Sequence, residues 1–220
     1  MPYPQFDRRK LDIKPLSQRK NKVVIERDQV PPTAKPRPLS AAAEKTVDET
    51  VYRLRQAREA GKSRMLAFGA HAIKNGLSPV LIRLMETGWL THLATNGAGI
   101  IHDWEFAFQG SSSEDVRVNV DQGQFGIWDE TGYYINLALL HGGYARLGYG
   151  ESVGKFVEKE GLEIPEPAEL KARIKRHLDS DLETAAAACD FLGAIQAFDL
   201  NPGWMSVPHP YKRFGLQSAA

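Results

Sequence analysis

A single cysteine, Cys189, leaves the chain no partner for an internal disulfide, and that usage points to a reducing compartment. Long apolar runs are missing as well. None approaches the length that crosses a bilayer, and the opening MPYPQFDRRK lacks the apolar stretch of a secretory signal, so a cytoplasmic protein with no membrane partner is expected. An excess of one charge is also lacking: 28 Lys and Arg stand against 27 Asp and Glu. The resulting net charge of +1 is no nucleic-acid footprint, and no nucleic-acid partner is expected. The strict GxGxxG fingerprint does not occur, which argues against an ordinary dehydrogenase. No internal repeat is visible either.

What is present is a core-forming composition, 42% hydrophobic over 220 residues, enough for one domain with extensions. Charge and proline concentrate in residues 1–40, with ten Lys/Arg against four Asp/Glu and seven of the 13 prolines. That composition reads as an extended basic arm lying on its own protein or on a neighbouring subunit, with Val23-Val24-Ile25 as its one short strand. Residues 41–220 form the expected domain, its core at 62–147. Ala41 to Ala60 has helical periodicity, with Val47, Val51 and Leu54 on one stripe and Gly61 as a stop. Met65-Leu66-Ala67-Phe68 then reads as a buried parallel strand ending at Gly69. Ser78-Pro79 opens a helix as cap and first residue, Gly88 closes it, and Leu90 to Thr95 is a second strand. After the tight turn Asn96-Gly97-Ala98-Gly99, Ile100 to Phe108 is helical. This βαβα order predicts an α/β fold with a Rossmann-like parallel sheet flanked by helices. Beyond Thr131 helices alone are expected, at Glu130–Leu147, Ala168–Leu178 and Leu182–Phe198.

In an open parallel sheet, ligands bind beyond the carboxyl ends of the strands. Here those ends carry Gly69-Ala70-His71 and Thr95-Asn96-Gly97-Ala98-Gly99. Small residues let the backbone approach a pyrophosphate, and the bare N–H groups of the next helix favour an anion. His102, Asp103 and Glu105 follow at once and are the candidate catalytic groups, since a carboxylate here can hold ribose hydroxyls or a substrate ammonium. The competing role is helix capping by the carboxylates. No metal is expected, because adjacent helical positions do not converge on one ion and no His/Cys spacing stands nearby. Gly110-Ser111-Ser112-Ser113-Glu114-Asp115 is a polar loop that either caps the next helix or faces the ligand. His92 is expected to pack within its strand, His141 and His177 to be structural or solvated, and Cys189 to be a small buried hydrophobe. His209 sits in an extended segment, and Trp128 either stacks on a ligand ring or belongs to the core.

The run Gly69-Ala70-His71-Ala72-Ile73-Lys74-Asn75-Gly76, then Thr95-Asn96-Gly97-Ala98-Gly99 and the acidic Asp103 and Glu105, resembles the first half of deoxyhypusine synthase and its bacterial relatives. Asp103-Trp104-Glu105 followed by Gly110-Ser111-Ser112 is similar to the NAD-dependent ornithine cyclodeaminase-type proteins. The likeness covers roughly Met65 to Thr131, less than a third of the chain. It implies NAD lying across a Rossmann-like domain, an amine or amino-acid substrate that loses hydride, group transfer, and a homo-oligomer. By position, Ala70, His71, Asn75, Gly76, Thr95, Asn96, Gly97 and Ala98 would line the cofactor, with Asp103 and Glu105 near it. The glycine-rich motif that carries the family's catalytic lysine does not occur in this chain. The expectation is therefore an incomplete domain, with the remaining strands and that lysine in a part of the protein beyond Ala220. A non-catalytic nucleotide-binding or assembly protein is the rival from another class.

Overall fold

The computed structural model describes residues 3–220 as a mixed α/β structure, 57% helical, with three separate two-stranded ladders among those residues. The basic arm is stitched to the body rather than free. Leu16, Arg19 and Ile25 are buried, and Lys14 bridges to Trp128. Strand β1 (Asn21–Val24) leads directly into the short helix α1 (Ile25–Asp28), and residues 31–40 are then exposed throughout. Helix α2 (Ala41–Glu59) is capped by Ser40, whose hydroxyl accepts from the Ala43 N–H, and none of its residues is buried.

The βαβα order is present. It runs β2 (Met65–Ala67), α3 (Ala70–Lys74), α4 (Ser78–Glu86), β3 (His92–Ala94) and α5 (Gly97–Gln109). Strands β2 and β3 pair in parallel, Met65 with His92, Leu66 with Leu93 and Ala67 with Ala94. Ser78 is the first residue of α4 rather than its cap, and its buried hydroxyl has no partner among the described residues. Asn96 caps α5, its Oδ1 accepting from the Gly99 N–H at 3.0 Å, so the expected turn at 97–99 is already the first turn of the helix.

The triplet at Ser111–Ser113 forms strand β4 (Ser111–Glu114), antiparallel to β1. Asp115 is the residue that caps α6 (Val116–Asp121), accepting from the N–H groups of Arg117 and Val118. Then follow α7 (Asp129–Ala145), α8 (Tyr149–Lys159), β5 (Gly161–Ile164), α9 (Pro167–His177), α10 (Leu182–Phe198), β6 (Gly203–Ser206) and α11 (Leu216–Ala219). Periodicity predicts helix alone for this C-terminal part. Instead β5 and β6 pair antiparallel, four residues each, too short for their apolar content to stand out.

The Rossmann-like sheet expected from the βαβα order is not what these strands build. Only one of the three ladders is parallel, and it stops at two strands. The burial pattern explains why: in β2 and β3 the outer residues are exposed, Met65 by 67%, whereas a strand inside a doubly wound sheet is covered on both faces. The organising element is α5. Its Ile100, Trp104 and Ala107 enter a large core with Ile135, Val153 and Phe191, while Phe106 enters a smaller one with Ile25, Ile73, Leu81, Phe214 and Leu216. A helix apolar on nearly every side belongs in the middle of the molecule, and α5 is buried at seven of its 13 positions.

Candidate strand-end site and its adjoining cleft

Parallel pairing brings the two carboxyl ends side by side, with the Phe68 N–H donating to the Ala94 carbonyl at 2.9 Å just before the loops begin. A Cβ added to Gly69 would lie 3.7 Å from the Asn96 side-chain nitrogen, so the two loops touch. A Cβ on Gly99 would overlap the Thr95 hydroxyl; the glycine lets Thr95 tuck beneath the first turn of α5. The ring of Tyr149 lies against that turn, 3.6 Å from where a Gly97 Cβ would stand. Ala70, His71, Thr95, Asn96, Gly97 and Ala98 therefore gather at one end of the ladder.

Asn75 and Gly76 do not join them. They stand at the far end of α3, about 7 Å along its axis. Gly76 has φ +81°, and a Cβ there would come within 2.5 Å of the Asp28 carbonyl oxygen. Its own carbonyl accepts from the Val30 N–H at 2.9 Å, so this glycine holds the arm against the body.

The ionisable groups of α5 point inward. Asp103, 1% exposed, accepts from the N–H groups of Leu216 at 2.8 Å and Gln217 at 3.1 Å, and so caps α11. Burial pushes its pKa up to about 7 against the pull of those two N–H groups. Glu105 is equally buried. Arg19 grips it with both ends of its guanidinium at 2.7 and 2.5 Å, and the hydroxyls of Ser112 (2.5 Å) and Thr131 (3.0 Å) also donate to it. His102 Nδ1 lies 2.7 Å from Ser112 Oγ. Because the Ser112 proton goes to Glu105, the imidazole must be the donor at Nδ1, which leaves Nε2 as its basic atom. Burial holds the His102 pKa below the usual value, so the ring is neutral near pH 7. This is no nucleophilic triad: the serine is fully buried and its proton faces the carboxylate, not the imidazole. Each of the three groups thus bonds to the chain itself.

Along β3, from Leu90 to Thr95, opens a cleft of about 810 Å³, within the size range of small-molecule sites; of the strand-end residues Thr95 alone lines it. Met85 and Leu93 supply apolar wall, and Glu86, Glu151 and Glu158 bring three carboxylates beside Lys155, with Glu86 also 3.8 Å from Arg83, Glu158 3.2 Å from Lys159, and Glu151 accepting from the Gly148 N–H at 2.9 Å. The Thr95 hydroxyl and the Gln217 side-chain carbonyl oxygen, both on residues lining the cleft, are buried without a partner among the described residues. This wall is absent from the expectations above because they place no separate helix at α8. A signal for one exists: Glu151, Lys155 and Glu158 recur at helical spacing opposite Val153, Phe156 and Val157.

Of the remaining candidates His92 lines the cleft, and the others fall elsewhere. His92 and Cys189 are exposed rather than packed, and Trp128 is buried with its indole N–H donating to Glu114 at 3.0 Å. His209 is fully buried, edge-on to Phe156, Phe108 and Trp104 at ring-centroid distances of 5.0, 5.9 and 6.1 Å. Neither of its ring nitrogens has a hydrogen-bond partner among the described residues, and burial pushes its pKa down to about 4. No cluster of three or more His, Cys, Asp or Glu among the described residues is placed to hold a metal ion, and no helix among them is long and apolar enough to cross a membrane. Compared with known protein families, curated proteins and solved structures, the chain finds no match.

Proposed function

We propose that the chain holds an NAD-type dinucleotide at the paired carboxyl ends of β2 and β3 and acts on an amine or amino acid seated in the adjoining cleft. The observation that carries this reading is a juxtaposition: two touching glycine-bearing strand ends, each feeding a helix, with Thr95 at the end of β3 also lining a cleft of about 810 Å³ that holds Glu86, Glu151 and Glu158. In fold terms this reading takes the parallel β2–β3 ladder with α3, α4 and α5 as a reduced βαβα unit that binds its ligand as a Rossmann-like half does, similar to that of deoxyhypusine synthase.

The residues present suit such a ligand. Ala70, Gly97 and Ala98 carry little or no side chain, and the N–H groups of Gly97 and Ala98 have no carbonyl of their own helix to meet, that of Gly99 being capped by Asn96, which favours a pyrophosphate there. When bound, the nicotinamide supplies the hydride acceptor. The side chains bind and orient: Glu86, Glu151 and Glu158 hold a substrate ammonium by charge-assisted hydrogen bonds, and Tyr149 walls the α5 turn from solvent. A second reading, a nucleotide-binding protein without turnover, is favoured by one observation. Asp103 and Glu105 are both engaged within the chain and leave no free acid of α5 at the loops, and His102 is anchored to Ser112 with Nε2 alone left as a base.

Gly97→Val tests the site. An added Cβ meets Tyr149 at ordinary van der Waals distance and the glycine needs no left-handed backbone, so Gly97→Ala leaves the fold intact and serves as the control, while circular dichroism checks that the valine methyls beside Tyr149 leave it folded. The branched side chain nevertheless stands where the ligand backbone contact is placed. Titration calorimetry with NAD should show wild-type binding and a loss of about tenfold in the variant, worth about 1.4 kcal/mol. A folded wild-type chain that binds neither NAD nor NADP rules the proposal out. Binding without NADH formation on polyamines or ornithine selects the second reading.

A further inference from the structure

The longest element that enters neither core is α2. None of its 19 residues is buried, yet Val47, Val51 and Leu54 share one face, with Val47 exposed by 48% and Val51 by 38%. Most of a helix's stability in a protein comes from covering its apolar stripe, and α2 leaves its stripe uncovered. The stripe is bracketed by opposite charges. From Glu44 through Val47, Val51 and Leu54 to Arg58 the spacing runs three, four, three, four, which keeps all five residues on one side. Asp48 and Glu49 accompany Glu44 in the first half, and Arg53 and Arg55 accompany Arg58 in the second, with Lys45 and Glu59 the exceptions.

That pattern is complementary to itself reversed. Two such helices laid antiparallel bring Glu44 of each toward Arg58 of the other, with the Val and Leu side chains between. Laid parallel, they set acid against acid and base against base. The helix is also presented in a fixed direction, because Arg58 stacks over the Trp89 ring at 4.7 Å and the Arg64 side chain bonds the Ala57 carbonyl. We propose that α2 is a self-recognition surface on which two copies of this chain pair antiparallel about a twofold axis. The partner is a second copy of this chain, chosen because the charge order of α2 complements its own reverse. A helix pair about 28 Å long buries less than the roughly 1,600 Å² of a standard stable interface, so the association is a reversible one in the micromolar range.

Sedimentation equilibrium on the full chain should show a monomer–dimer equilibrium at micromolar concentrations. Val51→Asp should weaken it at least about tenfold while leaving the melting temperature unchanged, since Val51 belongs to no core. Glu44→Lys and Arg58→Glu should each weaken it by about tenfold. Joined in one chain, or mixed as two singly changed chains, the two substitutions should restore it. This charge-swap set decides the matter even where circular dichroism shows Val51→Asp to be misfolded. A chain that stays monomeric across the range overturns the proposal, as does a dimer indifferent to Val51→Asp. Single charge changes that leave the dimer intact overturn the antiparallel pairing, and recovery of a different protein on α2 with no self-association overturns the choice of partner.

Discussion

Arg19→Ala should destabilise the folded chain by about 3–5 kcal/mol, because it strands a buried carboxylate. Arg19 and Glu105 are 4% and 1% exposed at the side chain and meet through two hydrogen bonds. Removing the guanidinium leaves Glu105 buried with only the Ser112 and Thr131 hydroxyls to compensate it. The same deletion releases the segment around Leu16, which the arm inserts into the large core. Glu105→Ala should cost a similar amount by stranding the arginine. Arg19→Met combined with Glu105→Leu should recover most of the loss, because burying a matched ion pair gains little over packing apolar groups of similar volume. Urea denaturation of the four proteins measures this directly. Were Glu105 instead a ligand group, Glu105→Ala would abolish nucleotide binding while the midpoint stayed put, and its stabilising role would be refuted.

A pair of opposing pH dependences should have effects of similar size. His209 has a folded pKa of about 4 against an ordinary value of 6.5, so between those values the unfolded chain binds the extra proton. Its contribution is complete above pH 6.5 and is lost as pH falls toward 4, by about 3 kcal/mol at 1.36 kcal/mol per pH unit. Asp103 runs the other way. Its folded pKa of about 7 lies above 3.8, so the folded chain takes up the proton first, and stability from this group is present at low pH and lost as pH rises toward 7, by about 4 kcal/mol. Over the window from about pH 4 to 6.5 the two nearly cancel, and wild-type stability should be almost level with respect to them. His209→Phe should unmask the Asp103 slope, so that the variant becomes more stable as pH falls. Asp103→Asn should unmask the His209 slope and also cost about 1–3 kcal/mol at neutral pH, because the Leu216 and Gln217 N–H groups bond different carboxylate oxygens and the amide NH2 that replaces one of them is itself a donor. Denaturation midpoints at three pH values within the window separate the cases. Identical slopes in all three proteins would show that neither group titrates as its burial dictates.

The candidate site is half legible in the residues. Gly69, Asn96 and Gly97 announce two strand ends because small and capping residues punctuate the chain where it turns. Asn75 and Gly76 follow in the same run and look like part of the site, yet the short helix α3 carries them to its other end, beneath Asp28. Asp103 and Glu105 are conspicuous as acids after an apolar stretch. Which side of α5 they face depends on Arg19, 86 positions before Glu105, and on Leu216, 113 positions after Asp103, and no local pattern carries that information.

Local sequence suffices for the order of the βαβα segment, for the helix at Leu182–Phe198 to the residue, and for the amphipathic stripe of α2, because periodicity, capping and glycine stops act within a few residues. What the elements pair with is settled at long range, by the fold. The polar run Ser111–Glu114 is a strand because the Asn21–Val24 backbone lies alongside it, and Gly161–Ile164 is one because Gly203–Ser206 returns to it. The β2–β3 ladder stays at two strands because no third segment among the described residues reaches its edges. A strand is completed by hydrogen bonds to another part of the chain, whereas a helix closes its bonds within itself, and that difference is why helices such as α2 and α10 can be read from the sequence while β4, β5 and β6 cannot.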